Sequence, residues 1–300
     1  MKNQIKEYVI VVCSIFYLSF YACSLSPGEP VDTMVDNGSW YETGFTPWPH
    51  DGNPLESENF VIYSDAASLE ARQLLAQICE EALTVIIEKL GITDLSILRF
   101  PPDRNNKIHI YAYKNYNPLS WGGQAYYGGY IIYSPDHPQR TEMGLTALDK
   151  YVPLVRHEMM HVVQTLIIGA NDERVYSWFA EGIAIEISDD VFYIKIDSQA
   201  KFDSLISVYG KQNPISLHYS WTYPTNPEGI ITFYYYPMFW LSVRYLLDPA
   251  GYGRSFDDVR DVLIDAGNNI PFEESLEERF GISFNDYEAQ FFDLMNNYLE

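Results

Sequence analysis

Basic residues are scarce in this 300-residue chain: Lys and Arg number 19 against 41 Asp and Glu, for a formal net charge of −22. A surface this acidic repels phosphate backbones and anionic headgroups, which excludes nucleic acid as a partner and favours neutral or basic ligands. Cysteine is scarcer still, at three residues. No disulfide framework can be drawn from Cys13, Cys23 and Cys79. Cys79 sits in an apolar helical pattern with Leu74, Leu75, Ile78 and Ala82 and reads as a small core residue. Internal repeats and low-complexity blocks are absent. Aromatics, by contrast, are plentiful, with 25 Tyr and 6 Trp. They fit either core and surface filling or an aromatic cleft for peptide or sugar. The 47% hydrophobic and 20% charged fractions are those of a folded globular chain.

The N-terminus reads as an export signal. Lys2 and Lys6 precede an apolar run over residues 8–22, broken only by serines. That run suits a signal h-region and is short for a membrane span. It ends in Phe20-Tyr21-Ala22-Cys23, which resembles a bacterial lipobox, although Phe20 and Tyr21 are bulkier than that pattern favours. The expectation is removal of residues 1–22 and a lipid on Cys23 that anchors the chain at a membrane face of the cell envelope without spanning it. Removal takes Lys2, Lys6 and Glu7, so 17 basic residues remain against 40 acidic ones, and the charge becomes −23. Residues 23–56 hold five prolines and no periodicity, and read as a tether and lead-in.

A folded domain is expected over residues 57–300, in the α+β class. Strands are predicted at 59–64, 107–113 and 130–134 from alternating, β-branched and aromatic residues. A helix is predicted at 67–90, stopped by Gly91. Beyond residue 140 the pattern turns helical, with candidates at 150–168, 176–187, 231–247, 255–266, 271–280 and 283–298. A small mixed-sheet lobe (57–140) followed by a mostly helical lobe (141–300) follows from that order.

Within the helix at 150–168 stands His157-Glu158-Met159-Met160-His161. Residues i and i+4 share one helical face, so two imidazoles reach one zinc ion. Glu158 sits beside the metal, where it can take a proton from a metal-bound water and pass it to a leaving group. Pro153 is compatible if the helix starts near it. A catalytic zinc needs a third protein ligand. Twenty residues beyond His161 comes Trp178-Phe179-Ala180-Glu181-Gly182-Ile183-Ala184, and a turn at 169–174 would fold its helix back and bring Glu181 to the metal. Glu186 lies off the face of Glu181 and reads as a solvated carboxylate. His50, His109, His137 and His218 show no ligand spacing.

These residues resemble the gluzincins, specifically the small peptidase-MA-like families. Those carry HExxH, about twenty residues, then an aromatic followed by Ala-Glu-Gly-Ile/Leu-Ala. The resemblance extends to Gly122-Gly123-Gln124-Ala125 as a glycine-rich edge element. It also takes in the helix from Tyr236 to Leu246, Gly251-Tyr252-Gly253, and Gly281-Ile282-Ser283-Phe284. It implies a zincin-like fold, one Zn2+ on His157, His161 and Glu181, and a peptide or protein substrate. Glu158 would then be general base and acid, and strand 130–134 would lie antiparallel to the substrate. Tyr236 stands either as an oxyanion stabiliser or as a helix-start aromatic packed on the core, with Tyr234 and Tyr235 as alternatives. Two features depart from the family. Met159 and Met160 replace its usual residues between the histidines, and no Gly-x-Met-Glu-Asn element supports exopeptidase activity. Rival readings are a catalytically silent zinc-binding protein and a glycan- or protein-binding surface lipoprotein.

Overall fold

In a computed structural model of the chain, the described residues are 53–64, 69–113, 122–133, 147–169, 174–189, 195–216 and 234–300. The export signal, Cys23, most of the tether, His50, His137 and His218 lie outside them. Five strands are present: β1 (Leu55–Glu56), β2 (Phe60–Ser64), β3 (Ile108–Tyr113), β4 (Gly122–Tyr126) and β5 (Gly129–Tyr133). The helices are α1 (Leu69–Lys89), α2 (Ala147–Ile168), α3 (Ser177–Ser188), α4 (Gln199–Tyr209), α5 (Tyr236–Leu247), α6 (Phe256–Gly267), α7 (Phe272–Phe280) and α8 (Phe284–Leu299). The expected α+β class is what is found.

The strands form one mixed sheet in the order β1-β2-β3-β5-β4. β2, β3 and β5 run parallel, and the two outer strands are antiparallel to their neighbours. Phe60, Ile62, Ile108 and Ile110 all point to the helical side and are fully buried. A one-residue slip would turn a strand's set to the other face. At about 1.5–3 kcal/mol per buried side chain, the four together hold roughly 6–12 kcal/mol, comparable with the stability of a whole domain. The register is therefore fixed by burial.

Two features of the sheet differ from the sequence expectation. Leu55 and Glu56 pair with Ile62 and Val61, so the domain begins inside the segment read as tether. A two-residue strand is too short to show a period. The edge beside the helices is β4, not strand 130–134, because β5 has a neighbour on each side. β4 turns back into β5 through Tyr127 and Gly128. Gly128 has φ +78, and a side chain there would meet the Pro101 ring at 2.9 Å, so this turn requires glycine.

Helix α2 runs through the centre of the domain. Val155, Met159, Met160, Val162, Val163, Leu166 and Ile167 are all 0–1% exposed, as befits a helix apolar nearly all round. The two methionines between the histidines fill core. Pro153 falls inside α2, six residues after its start, instead of in a first turn. The carbonyl four residues earlier therefore loses its helical donor. Cys79 is buried, as expected, while Leu74 faces solvent. Much of the aromatic excess is core: Tyr176, Trp178, Phe272 and Tyr287 are buried among one another. Helix α4 was not legible, since of its eleven residues only Phe202 and Leu205 are buried.

Candidate metal centre

Helix α3 brings the third candidate ligand, Glu181. Its buried face includes Trp178, Phe179, Glu181, Gly182 and Ile183, so it is wedged between α2 and α5 and nearly dry. Gly182 allows this. A Cβ at that position would stand 2.4 Å from the Phe239 carbonyl oxygen and 2.6 Å from a Val243 methyl. The backbones of α3 and α5 thus meet where only glycine fits. Glu186, read as solvated, is in fact the pin of this crossing. It accepts from Trp240 Nε1 at 2.7 Å and from Arg244 at 2.9 Å. Its partners lie 54 and 58 residues on, in another helix, and leave no local signal.

His157, His161 and Glu181 converge. The two Nε2 atoms are 3.2 Å apart, and Glu181 Oε2 lies 3.3 Å from each. Zinc bonds of about 2.0–2.1 Å spread to tetrahedral angles would separate donors by about 3.3–3.4 Å, so this nearly equilateral triangle matches what a single zinc ion needs. Imidazole and carboxylate donors suit zinc, though they would also admit other first-row divalent ions. His157 and Glu181 are each 2–3% exposed, and the His161 side chain reaches 13%. Among the described residues this is the single group of at least three His, Cys, Asp or Glu able to hold a metal.

The electrostatics follow from burial with close opposite charge. Burial alone would lower the His161 pKa, but the Glu181 carboxylate overrides it and holds the imidazole up to about 9. Burial would raise Glu181, yet His161 and His157 bring it down to about 2. Without metal, these two therefore form a buried ion pair. Glu158 is 3% exposed, and burial pushes its pKa up. His157 and His161 oppose that rise, and the Glu181 charge adds to it. The Ala125 backbone N–H, on β4, faces the Glu158 carboxylate and also opposes that rise. Sequence reasoning missed this contact, because the strand Gly122–Tyr126 begins with two glycines and carries little strand propensity.

Tyr236 opens α5, and its side chain is 2% exposed with its ring against Phe239. Its two neighbours are committed elsewhere. The Tyr234 hydroxyl donates to the Gln212 carbonyl and accepts from the Gln212 N–H, and Tyr235 donates to Gln212 Oε1. His109 lies on β3 beside buried Arg104 and against the Tyr63 ring, a structural place. Sequence reasoning also passed over Gln164, one turn beyond His161 in an apolar stretch. It bonds to His161 Nδ1 and to the Ala180 carbonyl. No protein-family model matches the chain, and no curated protein matches it.

Proposed function

We propose that this protein is a zinc-dependent metallopeptidase of gluzincin type, with a zincin-like domain exported and held at the cell envelope by a lipid on Cys23. The observation that carries the reading is the donor triangle: His157, His161 and Glu181 lie 3.2–3.3 Å from one another, with buried Glu158 alongside. A zinc ion held by these three donors would supply a Lewis acid that acidifies water and polarises the scissile carbonyl. Glu158 takes the proton of the attacking water and delivers it to the leaving nitrogen. Burial raises its pKa, the direction that strengthens it as a proton acceptor. Tyr236 donates its phenolic hydrogen to the oxygen that gains charge in the transition state.

The substrate runs along β4, since among the described residues β4 is the sheet border beside α2 and its Ala125 N–H faces Glu158. The acidic surface favours peptides of neutral or basic character. The export and anchoring proposal rests on the pattern of residues 1–23. Among the described residues no helix is long and apolar enough to cross a membrane.

Metal analysis and one substitution test the reading together. Purified protein should carry one zinc per chain, and Glu158→Gln should keep it while losing cleavage of a peptide library by about 10²-fold or more. Well under one zinc per chain, or equal cleavage by both proteins, would overturn the assignment.

A further inference from the structure

We propose that Gln164 is a positioning residue of the metal centre that sets the tautomer of His161 and ties it to the helix bearing Glu181, an inference that rests on the zinc-site reading. Gln164 is 4% exposed. Its carboxamide spans two elements. Oε1 is 2.9 Å from His161 Nδ1, and Nε2 is 2.9 Å from the carbonyl oxygen of Ala180, the residue before Glu181.

The orientation of that amide follows from its partners. A backbone carbonyl can only accept, so the NH2 end of Gln164 must face Ala180. The oxygen end then faces His161, and an amide oxygen can only accept in turn. His161 Nδ1 therefore carries a hydrogen. A neutral imidazole protonated at Nδ1 has its lone pair on Nε2, the atom in the donor triangle 3.2 Å from His157 Nε2. One side chain thus makes the ligating nitrogen available and fixes the ring plane. The imidazole bond also increases the electron density that His161 offers to a metal.

The second bond gives the side chain a further function. His161 is on α2 and Glu181 is on α3, so the triangle holds only if those helices keep their relative height. Gln164 anchors both from one amide, three residues after His161 on α2 and at the residue before Glu181 on α3. A residue that served packing alone would need neither bond, and a buried Met would fill the same volume.

Zinc titration against a chelating indicator, with full-length wild type and Gln164→Met, tests this. Gln164→Met keeps length and bulk and makes neither hydrogen bond. Loss of ligand-orienting bonds of this kind typically weakens metal affinity by about 10- to 100-fold, and that loss is expected here with the fold retained by circular dichroism. Nitrogen-edited NMR of zinc-loaded wild type needs no variant and should show a His161 Nδ1–H protected from exchange. Zinc affinity within about twofold of wild type in Gln164→Met, or zinc bound to His161 through Nδ1, would overturn the role of Gln164 alone. A wild type that binds no zinc would overturn the metal centre and this role together, so the two failures are separable.

Discussion

Gly182→Ala separates a local argument from a tertiary one. Judged by helix propensity, alanine in the interior of α3 should stabilise the helix by about 1 kcal/mol. The packing says otherwise. The new methyl would stand 2.4 Å from the Phe239 carbonyl oxygen, 2.6 Å from a Val243 methyl and 3.0 Å from the Phe239 carbonyl carbon. Ordinary contact begins near 3.4 Å, so α3 and α5 must part by up to about 1 Å, and two of the three obstacles are backbone. Overpacking of this kind costs about 1–3 kcal/mol, and backbone obstacles place it near the top of that range. Less the propensity gain, the net cost is about 2 kcal/mol, or a fall of roughly 4–8 °C in Tm for a domain of this size. Because α3 is wedged between α5 and α2, the shift also moves Glu181 against the histidines, and zinc affinity should fall with stability. Calorimetry and zinc titration of the purified variant read both. A Tm equal to or above wild type with unchanged zinc affinity would refute the close approach of α3 and α5.

Further outcomes follow from the same contacts. In chelator-treated protein, Glu181 sits at about 2 against an ordinary 4.5, so its contribution is complete above pH 4.5 and lost as pH falls through about 2. His161 sits at about 9 against an ordinary 6.5, so its contribution is complete below pH 6.5 and lost as pH rises through about 9. Denaturant titrations should therefore place maximal metal-free stability between about pH 4.5 and 6.5, and Glu181→Gln should flatten the alkaline fall. Tyr236→Phe should keep zinc and lower kcat by about 10²-fold, with little change in KM, whereas Tyr234→Phe should leave kcat near wild type. Glu186→Ala strands the indole N–H of Trp240 and should cost about 1–2 kcal/mol in thermal unfolding while leaving zinc stoichiometry at one, since Arg244 is exposed enough to rehydrate.

Local spacing and tertiary contact divide what could be read from the chain. His157 and His161 were legible because four residues is one helical turn, and Glu181 because its aromatic-Ala-Glu-Gly block repeats a known arrangement. Gly182 was legible as part of that block, but its reason, the Phe239 carbonyl, lies 57 residues on. The buried strand pairs at 60–64 and 108–113 announced themselves by alternation. The edge strand did not, since Gly122 and Gly123 carry no pattern; it was reachable only as the glycine-rich edge element of the resemblance, and the approach of Ala125 to Glu158 was not legible at all. Helix α4 buries two side chains and so shows almost no stripe. Glu186 and Gln164 were both polar residues on apolar helices. One was read as solvated and the other passed over, because a side chain's partner on another element has no fixed offset in the sequence.

The arrangement of the sheet's two borders bears on self-association. An open strand edge with free N–H groups is a template for pairing with another chain, and aggregation usually begins there. On one side the border is β1, only two residues long and too short to recruit a partner. On the other, among the described residues, β4 is five residues long and its Ala125 N–H faces a carboxylate on α2. Glu158 thus stands beside the border most open to stacking. Substitutions at Glu158 that remove the acceptor would free that N–H, so concentrated preparations of such variants should be followed by light scattering as well as by activity.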